Sequence, residues 1–478
     1  MTRLSDAQHG MWINERMGAG TVYHMPVVIR FGAPPDPGAL AKACASVVER
    51  HALLGMAVED RDGVPYLVPA AVRPELAERR EIDLERGPLI TFTLSGDELR
   101  VVAHHLVFDG QSKDILVADL LAYYRGASPE PARPAQTPPA GSVEGARAFW
   151  AERWREPGDT FVPGGALRSR RAGPGRVLEF SLDLPPLVEP PLDGLTRFEV
   201  LLAAVHGLLN SYGNTDVVTA LDLSTRTPAQ EGCIGPFVNE LPIFSRPMPD
   251  ASFAEFAASL RAELRQVYAY RDIPLARAVP GIRPHAALAP VSVSYRRATV
   301  AEQDVEVEWL AFNQAVRGAL QLQVLDHGDR LTASLRYNPD EPVAPERFAA
   351  DLGVWLAAVA EDPYRPLSTL GAVTGGGAEG AELGDISEMS PSSPRTPTPA
   401  ASAPGSADPL LAEITAIWEE VLQMSPIEPD DDVFDLGGHS LTITQIIARM
   451  RKRLNVDVSL DDFFDNPTIA GVLQVIRK

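Results

Sequence analysis

The sequence predicts a large mixed α/β unit over residues 1–373 and a small all-helical unit over residues 408–478, in a chain of 478 residues. Three observations predict it. Residues 374–407 are nearly all Gly, Ala, Ser, Pro and Thr with a few acids. Such a stretch cannot bury enough apolar surface to offset its ordering entropy, so it is expected to be a disordered linker. Glycine makes one end flexible and proline stiffens the other. Before the linker, strand-like alternation and helical periodicity take turns; after it, only the helical period remains.

The elements follow in order. Pro37 to His51 reads as a helix. Leu99 to Ala103 reads as a strand, and Ile115, Leu116, Leu120 and Tyr124 as the helix after it. Ser128 to Gly141 is a Pro-rich loop, expected near a junction of two halves. Leu178, Phe180 and Leu182 alternate with polar neighbours, as one buried strand face requires. Phe198 to Tyr212 and Phe253 to Tyr268 read as helices. The apolar run Val200 to Leu209 carries His206 and falls short of the ~20 residues that span a bilayer, so it is a buried helix. Leu320, Leu322 and Val324, a turn at Asp326 to Asp329, then Leu331, Ala333, Leu335 and Tyr337 make a β-hairpin. In the small unit, Leu411, Ile414, Trp418, Val421 and Leu422 form one amphipathic face, and Ile443, Ile447, Met450 and Leu454 another.

Composition narrows the function. Apolar residues make up 45% and charged residues 22%, which is ordinary globular protein. A net charge of −21 argues against a nucleic-acid surface, which needs clustered Lys and Arg. The two cysteines, Cys44 and Cys233, form neither a metal-ligand spacing nor a disulfide framework. The first residues show no signal peptide. A cytoplasmic protein without metal or membrane partner is expected.

Two segments carry chemistry. Asp432 to Leu441 reads DVFDLGGHSL. Two glycines strip side-chain cover from a loop, and Ser440 follows where a helix begins. A helix N-terminus favours an attached anion by about 0.3–1 kcal/mol, which suits a phosphodiester. Taken alone, Gly-Gly-x-Ser is more often an ordinary helix cap. The second segment, Val101 to Gly110, reads VVAHHLVFDG. It puts His104 and His105 at a strand end, in a loop that turns into a helix. Acyl transfer to an amine needs an unprotonated, well-placed nucleophile and a stabilised oxyanion, and histidine suits the first two needs. A metal pair is the other reading, but adjacent side chains diverge in a strand.

The small unit resembles the peptidyl carrier proteins. The likeness runs from the acidic lead-in through LGGHSL to the closing FFDNPTIAGV. It implies an all-α four-helix carrier domain with 4'-phosphopantetheine on Ser440, installed by a phosphopantetheinyl transferase. HHLVFDG matches the HHxxxDG motif of nonribosomal peptide synthetase condensation domains. The supporting segments are Leu4 to Gln8 with Met11-Trp12, Arg50-His51 with Leu53, Ile234 to Asn239, and Tyr270 to Pro274. This resemblance implies a two-lobed chloramphenicol acetyltransferase-like fold, with lobes of about 1–175 and 176–373 and a tunnel between them. It implies that His105 is the active-site histidine, as general base or as the group that positions the amine. His104 would support the loop, Asp109 would pair with an arginine, for which Arg50 is the candidate, and Gly110 would allow a tight turn. Gln111 stands where many relatives have Trp, Gly55 where a second Arg is usual, and Tyr270 where His is common.

Domain order adds partners. The carrier follows the acyltransferase with no adenylation domain between them. The chain is therefore expected to take its acyl donor from an upstream carrier protein, and to have Ser440 loaded by a trans-acting adenylation domain. The leading expectation is amide formation on that arm. Ester or free-amine acyl transfer is the second, and a docking platform for other enzymes the third. Platform relatives have altered histidine motifs, and this one is intact.

Overall fold

A computed structural model describes the chain except residues 74, 78–80, 128, 130–141, 184–191, 193, 284–285, 299–303, 329, 371–407, 437 and 478. The linker at 374–407 and almost all of the Pro-rich stretch at 128–141 lie outside the described residues.

Two larger sheets organise the large unit. The first has five strands in the order Glu306–Glu308, His24–Arg30, Glu98–His104, Ile90–Ser95 and Leu76–Ala77. The helices Pro37–Arg50 and Gly110–Tyr124 pack on each other beside it. The second has six strands: Arg176–Leu182, Leu331–Tyr337, Leu320–Asp326, Val291–Arg297, Val217–Ser224 and Val238–Ser245. The hairpin read from sequence is its second and third strands, and Gly328 takes the left-handed turn position at φ 93°.

Alternation along the second sheet separates two faces. Leu320, Leu322, Val324, Leu331, Ala333 and Leu335 are buried in one core with the helices Arg197–Ser211, Phe253–Tyr268 and Pro345–Glu361. Val200 to Leu209 is buried throughout, as its all-round hydrophobicity requires. His206 stays in that apolar layer because Ser245 and Thr219 hydroxyls lie 2.7 and 2.8 Å from its two ring nitrogens.

The lobes are laced together. Glu306–Glu308 leaves the second lobe and pairs antiparallel with His24–Arg30 of the first sheet. The helix Val143–Arg153 packs on the second core, where Ala146 and Trp150 are fully buried. By packing, Val143–Arg153, Val162 and Leu167 already belong to the second core, ahead of the expected division at about residue 175. Among the described residues, no helix is long and apolar enough to cross a membrane.

The small unit is four helices: Pro409–Leu422, Ser440–Leu454, Leu460–Asp465 and Ile469–Ile476. Ile414, Trp418, Ile443, Met450 and Phe463 form its fully buried centre. Trp418 stacks on Phe463 with ring centroids 5.6 Å apart.

Candidate active site

The two histidines part company, as neighbours at a strand end do. His104 ends the strand Glu98–His104 and is 1% exposed. Its Nδ1 accepts from the Leu106 N–H, which leaves Nε2 to donate to Glu15 3.3 Å away. Gln8 Nε2 donates to the Leu106 carbonyl at 2.7 Å. The N-terminal helix Asp6–Arg16 thus clamps the motif loop from one side, which gives the Leu4 to Gln8 segment its physical purpose.

His105 turns the other way, into a cavity of about 380 Å³ between the lobes. Its backbone N–H donates to the Tyr23 carbonyl, and its ring centroid is 6.4 Å from the Tyr23 ring. Nδ1 is buried and has no hydrogen-bond partner among the described residues. Burial pushes the imidazole pKa below the usual histidine range, opposed in part by the Asp109 carboxylate. A neutral ring can accept a proton or a hydrogen bond near pH 7.

Asp109 caps the helix Gly110–Tyr124 and is saturated with donors. Oδ1 accepts from the Ser112 N–H and hydroxyl, both at 2.7 Å. Arg226 reaches both carboxylate oxygens at 3.0 and 2.9 Å, and the Phe237 N–H reaches Oδ2. This corrects the expected partner. Arg50 lies 2.8 Å from Asp119, which His51 also meets at 2.6 Å. Arg50 ends a helix packed along the side of Gly110–Tyr124, so it meets a later turn of that helix and not its cap. Gly110 opens the helix Gly110–Tyr124 directly after its cap, without a left-handed backbone. Its missing side chain makes room for Arg296, whose Cδ would stand 3.2 Å from a Cβ there.

Scattered sequence segments converge here. The Gly235 carbonyl accepts from the Ser112 hydroxyl. Asn239 Nδ2 donates to the Arg271 and Ile273 carbonyls, which ties Ile234–Asn239 to Tyr270–Pro274. Tyr270 stacks on Phe149 at 4.5 Å, and Gln111 lines the cavity. The side chains not foreseen are Glu15, Tyr23, Lys113, Arg226 and Arg296. Lys113 Nζ donates to the Pro26 and Trp309 carbonyls, both at 2.7 Å, and so fastens the segment that crosses between lobes.

The small unit sits at one mouth of the same cavity. His439, Ser440 and Leu441 line it with His105. Ser440 is the first residue of its helix, and His439 is the cap, so the serine is not the capping residue. Gly438 is required as glycine, since a Cβ would meet the Val433 carbonyl at 2.5 Å. The seat is made by Thr444 Oγ1 donating to the Gly63 carbonyl at 2.9 Å and by the Lys452–Asp62 and Arg283–Asp465 ion pairs. His9 and His439 both line this mouth. Burial pushes His9 down to about 3 and His439 down to about 4.

Residues 190–379 match the condensation domain family, and residues 412–476 match the phosphopantetheine attachment site family. The chain is a condensation domain followed by a phosphopantetheine carrier domain, of the nonribosomal peptide synthetase kind. Relatives of this chain include a probable non-canonical nonribosomal peptide synthetase, CymA, of Salinispora arenicola, 27% identical over 78% of this chain and 6% of its own length. Another is the phosphinothricin tripeptide synthetase PhsC of Streptomyces viridochromogenes, 26% identical over 78% of this chain and 40% of its own length. The chain thus spans less than half the length of these curated relatives. The first condensation domain of the CDA synthetase has the same fold, with a TM-score of 0.61 at 18% identity, over 77% of this chain and 98% of that one. So does the X-domain from teicoplanin biosynthesis, with a TM-score of 0.60 at 22% identity, over 77% and 97%.

Proposed function

We propose that the condensation–carrier pair forms an amide between an acyl or peptidyl thioester on an upstream carrier protein and an aminoacyl group on its own arm at Ser440. The observation that carries this reading is the single cavity into which His105 and Ser440 both open. The surroundings of Ser440 fit the group. Its hydroxyl stands at a helix N-terminus that favours a phosphodiester, beside a glycine that admits no side chain. When bound, phosphopantetheine supplies a thiol that holds the acyl group as a thioester at the end of a long arm.

The chain's residues then have separate roles. His105, held neutral by burial, takes up the proton of the attacking amine or orients that amine by a hydrogen bond. His104, Asp109 and Gly110 hold the loop, with Arg226 in place of Arg50 as the arginine that matters. Confinement between the lobes supplies proximity. A phosphopantetheinyl transferase installs the arm, and an adenylation domain acting in trans loads it. Holo protein given amino acids and ATP alone is expected to stay unloaded by mass.

The fold is shared by condensation domains and by an X-domain that was crystallised with OxyB, so fold alone does not choose between catalysis and docking. The intact motif, with His105 facing the cavity, favours catalysis. The test is intact mass. Ser440 is loaded with aminoacyl-pantetheines by a promiscuous transferase, carrier-bound donors are added, and His105→Ala runs alongside. A donor-sized gain that the variant loses supports amide formation. A gain on free amines or alcohols in place of the arm moves the reading to diffusible acceptors. Binding of a partner enzyme without any gain moves it to a platform.

A further inference from the structure

The floor of the cavity is the face of the second sheet that turns away from its core, and it carries charge. Five arginines line the cavity. Four of them meet a carboxylate at 3.3 Å or less: Arg277 meets Asp6, Arg283 meets Asp465, Arg296 meets Asp114 and Arg317 meets Glu240. The fifth, Arg336, is 6% exposed and forms no ion pair among the described residues. Its neighbours do not supply the counter-charge. It stands opposite Gln321 on one adjacent strand and Val177 on the other, both neutral. Glu179, whose field reaches it, is exposed on the edge strand and makes no ion pair with it. Asp222 is the other charge on the floor without an ion pair among the described residues. It lies three strands away, about 14 Å at the usual strand spacing, and accepts from the Ser294 hydroxyl.

Arg336 is only partly occupied with structure. Its Nη2 donates to the Leu310 and Ala311 carbonyls at 3.1 and 3.2 Å, and its guanidinium lies 5.4 Å from the Phe312 ring. Nε is buried with no hydrogen-bond partner among the described residues. A neutral amide could reach the same carbonyls without burying a charge, and a buried charge without a counter-ion is unfavourable. Burial accordingly pushes the Arg336 pKa down to about 10. The surroundings add to the imbalance. Lys113, whose Nζ is held by carbonyls alone, feels the charges of both Arg296 and Arg336. Glu308 is held by Arg30, so Asp114 is the acid that faces these three cations. Arg296 Nη2 is also buried without a partner among the described residues. A guanidinium with donors to spare fits a planar carboxylate two-pronged. Gln321 and Ser292, in direct register with Arg336 across the next two strands, line the cavity and add neutral donors to the row.

We infer that Arg336, flanked by Gln321 and Ser292, binds the side-chain carboxylate of one of the two carrier-bound acyl groups, and so selects an acidic amino acid. The inference rests on the condensation reading above, and its test separates the two. In one series Ser440 carries glutamyl or glutaminyl and the donor is alanyl. In a second, the donor carries glutamyl or glutaminyl and the arm carries alanyl. The two side chains match in shape and differ in charge. Glutamyl is expected to outrun glutaminyl about tenfold or more in one series, as a charged hydrogen bond is worth. The series that responds names the carrier that brings the acid. In Arg336→Gln, which can still donate to the Leu310 carbonyl, the ratio is expected to fall to near one. Arg336→Lys keeps the charge without the fork and is expected to fall in between, and it serves if Arg336→Gln fails to fold. Equal rates in both series, or a full preference that survives in these variants, would overturn the inference and leave amide formation standing. If no pair reacts, the condensation reading fails, and calorimetry on Ser440→Ala protein decides. Tighter binding of a glutamyl- than a glutaminyl-pantetheine amide, lost on adding Arg336→Gln, supports the carboxylate site; equal binding overturns it.

Discussion

At the scale of single residues, Asp109 and Arg226 are the joint on which the histidine loop depends. Both side chains are 5% exposed, and the carboxylate takes five donor contacts. Removing one partner of a buried pair strands the other charge, at about 3–5 kcal/mol. Arg226→Met is therefore expected to lower the unfolding free energy by that amount and to abolish transfer. Arg226→Lys is expected to rescue little, because a point charge cannot make the two-pronged contact. Denaturant titration of the three proteins checks this. Arg50 serves as the contrast. Its pair with Asp119 holds one helix to its neighbour, so Arg50→Met is expected to reduce stability while the loaded protein still transfers. Strand alternation told that the two histidines diverge, and the resemblance of the motif pointed to His105. It did not tell the arginine, because Arg50 and Arg226 are equally plausible in one dimension, 59 and 117 residues from Asp109.

At the scale of elements, close packing decides two glycines. A Cβ on Gly207 would stand 2.5 Å from the Trp355 ring, where the helices Arg197–Ser211 and Pro345–Glu361 meet. Overpacking of this kind costs about 1–3 kcal/mol, so Gly207→Ala is expected to lower the thermal midpoint with the carrier domain unaffected. Gly63 is the second case. It lies in the turn between Met56–Arg61 and Val64–Pro69 at φ 80°, and a Cβ would meet the Thr444 carbonyl at 2.4 Å. Gly63→Val is expected to unseat the carrier. Transfer to the Ser440 arm should fall more than transfer to a free aminoacyl-pantetheine, and intact mass against product analysis reads the difference. Helices and strands of this kind were legible beforehand. Phe253–Tyr268 runs as its periodicity said, and the hairpin closes where Asp326-His327-Gly328 said. The crossing strand Glu306–Glu308 was not, because three residues carry no period and their partner lies in the other lobe.

At the scale of the molecule, the seat of the carrier domain is expected to depend on pH. His9 and His439 have pKa values of about 3 and about 4 in the seated state, against about 6.5 when solvated. Burial is the main cause for both, and nearby arginines add to it. A separated or unfolded state therefore binds more protons than the seated one at pH values between these limits. Linkage then makes seating stronger as pH rises. Its contribution is complete above pH ~6.5 and is lost as pH falls toward 4. Energy transfer between dyes on the two domains is expected to drop over that window, and His9→Phe with His439→Phe is expected to flatten the drop.

What the sequence determined by itself was local: the main helices and strands, and the two segments whose resemblance to known motifs pointed to His105 and Ser440. Each is written in neighbouring residues, because hydrophobic period, turn chemistry and helix starts act over a few positions. The tertiary structure decided what meets what. It paired Asp109 with Arg226, gave Gly110 to Arg296, and carried the second lobe's strand into the first sheet. It paired Glu240 with Arg317, and brought Ser440 and His105 to one cavity from 335 residues apart. Those contacts depend on how two sheets and a bundle pack in three dimensions, and packing leaves no periodic trace along the chain.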